Sequence, residues 1–164
     1  MFMKELPVTS MDLYISGYYA LNLPDADGIP ADWHPETYWC SNKQGVKVQL
    51  YRSKDFPWGI QDIEQRRIDY YSCAKYDKVY MATHVRAIAD LVVTAPYLEV
   101  LRGCTRDWLR TNEQVEQLYN MLKDVPGISW FLKDEFTKLY LGVGNYVKLS
   151  KTEGSIDATV TPPV

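Results

Sequence analysis

Apolar positions change their period near the middle of this chain. Before about Met81 they form short alternations, interrupted by Tyr, Pro, Gly and Asp. From Thr83 onward they recur at helical spacing. Leu13 and Ile15, then Leu21 and Leu23, alternate around Gly17 and predict strand-like or irregular structure. Pro24 to Pro35 reads as a loop, because it gathers Pro24, Pro30, Pro35, Gly28 and the aspartates Asp25, Asp27 and Asp32. Val46, Val48 and Leu50 alternate with Lys47, Gln49 and Tyr51 behind an Asn42–Gly45 turn, which predicts a strand. Pro57-Trp58-Gly59 breaks the pattern, and Val79 with Met81 suggests another short strand.

The second half predicts helices. Thr83 is placed to cap a helix through residue 93, with Val85, Ile88, Leu91 and Val92 on one face. Thr94 and Pro96 resemble an N-cap and first turn leading into Tyr97, Leu98, Val100 and Leu101, ended by Gly103. Thr111 with Gln114 forms a capping box ahead of a stripe of Val115, Leu118, Tyr119 and Leu122. After Pro126-Gly127, the residues Ile128, Phe131, Leu132, Phe136, Leu139 and Tyr140 predict an amphipathic helix that stops near Gly142.

These elements predict an α+β fold, a helix-rich C-terminal half packed on a small antiparallel sheet or hairpin. Strands and helices do not alternate, which argues against a doubly wound parallel sheet. Residues 1–150 are expected to form one domain, and 151–164 a flexible polar tail.

Composition narrows the function classes. Lys and Arg number 18 against 21 Asp and Glu, a formal charge of −3, which argues against a broad phosphate-binding surface. An acidic chain is suited instead to covering a basic partner. A nucleic-acid partner is the less favoured alternative. Cys40, Cys73 and Cys104 are widely spaced, with no C-x-x-C pair, and read as reduced thiols rather than zinc ligands. No metal and no cofactor is expected, since no nucleotide-cradling glycine motif and no G-x-S-x-G elbow occurs. No apolar stretch reaches membrane-span length, and Met1 to Ser10 carry no signal-like apolar run, so no membrane association and a cytoplasmic location are expected. Tyrosines (13) and tryptophans (5) outnumber phenylalanines (4), which fits a tyrosine-rich core edge or a protein-binding face, the scarcity of phenylalanine leaning toward surface use.

The two histidines are the main candidates for chemistry. His34 follows Asp32 and Trp33 in the proline-rich loop. His84 stands with Arg86 at a predicted helix start. Asp32 and His34 suit acid–base chemistry or a ligand contact, or else hold the loop in shape. His84 is equally readable as a satisfied core histidine beside the apolar stripe. Taken together, His34, His84, Arg86 and Asp32 would form a metal-independent ribonuclease or phosphodiesterase site with a base, an acid and a cation on the phosphate. Asp25 and Asp27 suit a cation but lack EF-hand spacing. Arg66-Arg67 and the series Arg102, Arg106, Arg110 are the densest basic positions, and read as a solvated face or as an anion contact.

Four segments carry a resemblance. "YISGYYALNLPDADGIPADWH" (14–34), "PWGI" (57–60), "VYMATHVRAIADLV" (79–92) and "LRGCTRDWLRTNEQVEQLY" (101–119) are similar to a family of small bacterial proteins. That family carries SG-x-x-AL, GDWH, (F/W)G-x-x-GI and NH(I/V)RA motifs. The likeness spans roughly residues 13–120. This chain has Ala31 where the family has glycine, Thr83 where it has asparagine, and a shortened middle element. Such proteins are often encoded beside nucleotidyltransferase-type abortive-infection toxins. The resemblance thus implies a toxin–antitoxin or phage-defence role, with this chain as the neutralising partner, and no known catalytic residues.

The combined expectation is an antitoxin-like or defence-associated protein that acts by occluding a protein partner. Trp33, Trp58, Tyr18, Tyr19 and Asn22 are the expected contact residues. The contact should bury on the order of 1,200–2,000 Å². The alternative is the small phosphodiesterase-type enzyme built on His34 and His84.

Overall fold

Helix α3 (His84–Thr94) runs through the centre of the molecule, and every residue from His84 to Val92 is buried. Its start is set locally, since the Thr83 hydroxyl accepts the Arg86 amide at 3.2 Å. Threonine therefore supplies the capping oxygen that asparagine would supply at this position. The computed structural model describes residues 1–68, 78–95 and 99–141, with side chains up to Phe136. The expected tail, Cys73, the Thr94–Pro96 helix start with Tyr97 and Leu98, and the stop near Gly142 lie wholly or partly outside the described residues.

Strands β1 (Phe2–Met3) and β3 (Cys40–Ser41) form a small antiparallel pair. A second, four-stranded sheet runs in the order β4 (Leu50–Arg52), β2 (Leu13–Ile15), β6 (Lys78–Ala82), β5 (Ile63–Arg67). Its outer pairs are antiparallel, and β2 lies parallel to β6 at Ile15↔Met81. The α+β reading holds, and the sheet is mixed. The expected strand from Val46 begins its ladder only at Leu50, opposite Ile15, because β2 offers a three-residue edge. Val48 is nonetheless buried between exposed Lys47 and Gln49, as the alternation requires.

Gly17 opens α1 (Gly17–Leu21), separated from the end of β2 by Ser16 alone. Its φ is +58°, and an added Cβ would lie 2.6 Å from the Tyr51 hydroxyl and 3.3 Å from Leu91. Only glycine fits that turn without strain. Helix α1 packs on α3, and α3 packs on β6 and on α5 (Asn112–Leu122). The Thr111–Gln114 capping box forms as expected, with Val115, Leu118, Tyr119 and Leu122 buried. Helix α6 (Ser129–Leu141) packs against both α5 and α4 (Cys104–Trp108). The buried Glu135 side chain of α6 accepts from the Gly103 and Thr105 amides at 2.7 and 2.9 Å and from the Thr105 hydroxyl at 2.6 Å. One carboxylate thereby joins the two helices.

Candidate functional site

The loop that carries His34 is folded back onto the end of α1. Leu21 accepts the Ala31 and Asp32 amides, both at 2.9 Å. Asp25 turns the outer part of the loop by accepting the Asp27 and Ile29 amides at 2.9 and 3.0 Å. Arg110 clamps Asp25 and Asp27 from the segment before α5. Although partial burial opposes it, the Ile29 and Asp27 amides and the Arg110 charge hold the Asp25 carboxyl below its ordinary value. The positive charge that suits these aspartates is supplied by Arg110 of the chain itself. Ala31 has no positive φ, so glycine is not needed there.

Asn22 joins the inner part of the loop. Its amide nitrogen donates to Asp32 Oδ2 at 3.1 Å, and its carbonyl oxygen accepts the His34 amide at 2.8 Å. Asp32 Oδ1 accepts the Trp33 amide at 2.8 Å and faces His34 Nδ1 at 2.9 Å. Asp32 is 7% exposed, while the His34 side chain is 43% exposed. A carboxylate in that position selects the tautomer in which Nδ1–H donates, which leaves Nε2 as the outward basic atom. The Trp33 ring lies over the imidazole, with centroids 3.8 Å apart, and is itself 78% exposed. Helix α2 (Pro35–Trp39) starts immediately after His34, with proline at its first position.

Behind this loop is an aromatic cluster. Tyr18 stacks on Tyr38 at 5.2 Å and meets Trp108 edge-on at 6.0 Å; Tyr19 meets Tyr38 and Trp39 edge-on. Burial, and after it Tyr38 and the Asp32 charge, pushes the Tyr18 hydroxyl up to about 12. Tyr38 moves in the same direction, through burial and Asp32. Tyr18 and Tyr19 are half-buried and Asn22 is buried, so these expected contact residues support the loop from beneath.

His84 sits on the other side of the same backbone, where its Nε2–H donates to the Leu23 carbonyl at 2.9 Å. Burial pushes its imidazole below the ordinary histidine value. The ring is committed to that carbonyl and 5% exposed, although His84 also borders a cavity of about 200 Å³ with Asp25, Glu64, Arg66 and Arg110. The expected two-histidine constellation is thus divided, with His34 at the surface and His84 in the core.

Arg86 is also internal, at 0% exposure. It lies one turn before Asp90 on α3, and its Nε donates to Asp90 Oδ1 at 2.7 Å. Its Nη1 donates to the Gly59 and Gln61 carbonyls, and its Nη2 donates to the Tyr14 hydroxyl at 2.7 Å. Tyr14 and Ser16 donate to Asp90 Oδ2 at 2.7 and 2.6 Å, and Trp58 Nε1 donates to Asp90 Oδ1 at 3.1 Å. The guanidinium is enclosed by the rings of Tyr14, Phe56 and Trp58, at 5.1, 5.4 and 5.6 Å. Burial and the Asp90 charge push the Tyr14 hydroxyl well above the usual phenol range. Sequence reasoning passed over Asp90 and Tyr14. The available signal was the i,i+4 pair of opposite charges inside the apolar run Val85–Val92.

Among the described residues no group of His, Cys, Asp and Glu side chains is arranged to hold a metal. Burial, reinforced by Glu135, pushes the Cys104 thiol well up and makes it a poor nucleophile. No helix among those residues is long and apolar enough to cross a membrane. In comparisons with known proteins, no family model, no curated protein and no solved structure matches the chain.

Proposed function

We propose that this chain is a binding protein that works by covering a protein partner, with Trp33 as its central anchor. One observation carries this reading: a tryptophan 78% exposed, its ring tilted against that of His34 at 3.8 Å, on a loop whose Asp32 carboxylate and Trp33 and His34 amides are all engaged from within. An exposed indole adds nothing to the core, and burying it against a partner is worth roughly 25 cal/mol per Å² of apolar surface. A loop already held in shape avoids most of the ordering cost of binding. The antitoxin-like or defence-associated role implied by the motif resemblance is of this binding type. The experiment is co-expression with the product of the adjacent gene. A complex that co-purifies and restores growth supports the reading; no complex and no restored growth count against it.

A second reading rests on the Asp32–His34 pair, in which the buried carboxylate engages Nδ1 of an imidazole whose side chain is 43% exposed. That geometry suits general acid–base chemistry by a single histidine. Cleavage of single-stranded RNA by the purified chain, lost in His34→Ala, would favour it over occlusion.

A further inference from the structure

Helix α5 has two faces that are not simply solvated. One is the buried stripe described above. The other, with Glu113, Glu116 and Met121, borders a cavity of about 590 Å³. Across it stands the turn of Pro57 and Trp58, and Val125 and Asp124 close one end. This opposite wall is fixed from the interior, since Arg86 holds the Gly59 and Gln61 carbonyls and Asp90 holds the Trp58 indole. Gln117 ties α5 to the same turn by donating to Asp62 Oδ2 at 2.8 Å. The groove is therefore formed before anything enters it.

Its chemistry is one-sided. Glu113, Glu116 and Asp124 line it, and among the described residues no Lys or Arg does. Surface helices commonly set such carboxylates three or four residues from a lysine or arginine, and neighbouring like charges cost stability unless a cation reaches them. Trp58, Met121, Pro57 and Val125 supply an apolar wall beside the carboxylates. A residue with a long apolar stem and a positive head satisfies both halves.

We propose that this groove receives a basic segment of a partner protein. An arginine or lysine of that segment lies beside Glu113 and Glu116, which are one turn apart near the start of α5, a second basic residue lies toward Asp124 at the far end, and an apolar neighbour lies against Trp58 and Met121. The inference rests on the binding role proposed above and extends it to a second surface with a stated partner chemistry.

The test is calorimetric titration of a synthetic arginine–leucine peptide and its glutamate–leucine counterpart. Each is added to the wild-type chain, to Glu113→Lys/Glu116→Lys, to the milder Glu113→Gln/Glu116→Gln, and to Glu5→Gln. The arginine peptide should bind wild type and the glutamate peptide should not. Charge reversal should weaken binding by about tenfold or more, neutralisation by less, and added salt should weaken it further. Glu5→Gln, at an exposed carboxylate outside the groove, should leave peptide binding unchanged. Equal binding of both peptides, no binding of either, or indifference to charge reversal overturns the proposal. So does a dimer of the chain that charge reversal dissociates, because the occupant is then a second copy. If the adjacent gene product fails to bind while the peptides behave as described, the Trp33 reading falls and the groove assignment stands.

Discussion

Asn22 donates to the Asp32 carboxylate at 3.1 Å while its own carbonyl oxygen accepts the His34 amide at 2.8 Å. A single buried amide thus sets both the carboxylate behind the imidazole and the backbone that carries it. Asn22→Leu keeps much of the volume and removes both bonds. It should destabilise the fold by about 1–3 kcal/mol, because Asp32 Oδ2 and the His34 amide lose their partners. It should also weaken partner binding beyond that loss, through release of the loop. Urea unfolding and affinity measured on the same protein separate the two effects.

The Arg86–Asp90 pair is expected to behave as an internal structural element. Arg86→Met leaves Asp90 charged and buried, and should cost about 3–5 kcal/mol in denaturant unfolding. Removing both charges in Arg86→Met/Asp90→Leu should recover part of that loss, since no uncompensated charge remains. If Arg86→Met instead left stability intact and abolished only a binding or catalytic activity, Arg86 would belong to a working surface.

At Gly17 the backbone argument has a direct check. Gly17→Ala should destabilise by about 1–3 kcal/mol, from the positive φ and the approach of Tyr51. Tyr51→Phe removes the hydroxyl that would be nearest, so it should cost less in the Gly17→Ala background than in wild type. A double-mutant cycle of unfolding free energies measures the difference.

His84 predicts the sign of a pH effect. Burial lowers its folded value below the ordinary 6.5, so the folded chain keeps the ring neutral while the unfolded chain takes up a proton. The contribution is fully present above 6.5 and is lost as pH falls through 6.5 toward the lowered folded value. Stability should therefore decline on acidification, and His84→Gln should flatten that part of the profile in thermal melts across the range.

Much of the helical half was legible in the residues. Thr83 and the Thr111–Gln114 box mark real helix starts, because capping is local chemistry between neighbours. Helices α1 and α2, each five residues long, were not legible, since so short a segment shows no repeat of its apolar period. Strand β5, Ile-Glu-Gln-Arg-Arg, carries a single apolar residue because it lies at the sheet edge. The Trp33–His34 surface was visible as a loop with reactive side chains. The inward course of His84 and Arg86 was not, because their partners Leu23, Tyr14, Gly59 and Gln61 come from distant segments.

The most direct measurement compares the Kd of the complex with the adjacent gene product for wild type and Trp33→Ala, alongside the Tm of each free chain. Truncating an exposed anchor should raise Kd by about tenfold or more, equivalent to over about 1.4 kcal/mol, and leave Tm nearly unchanged. An unchanged Kd, or a fall in Tm that accounts for the whole loss of binding, would contradict a recognition role for Trp33.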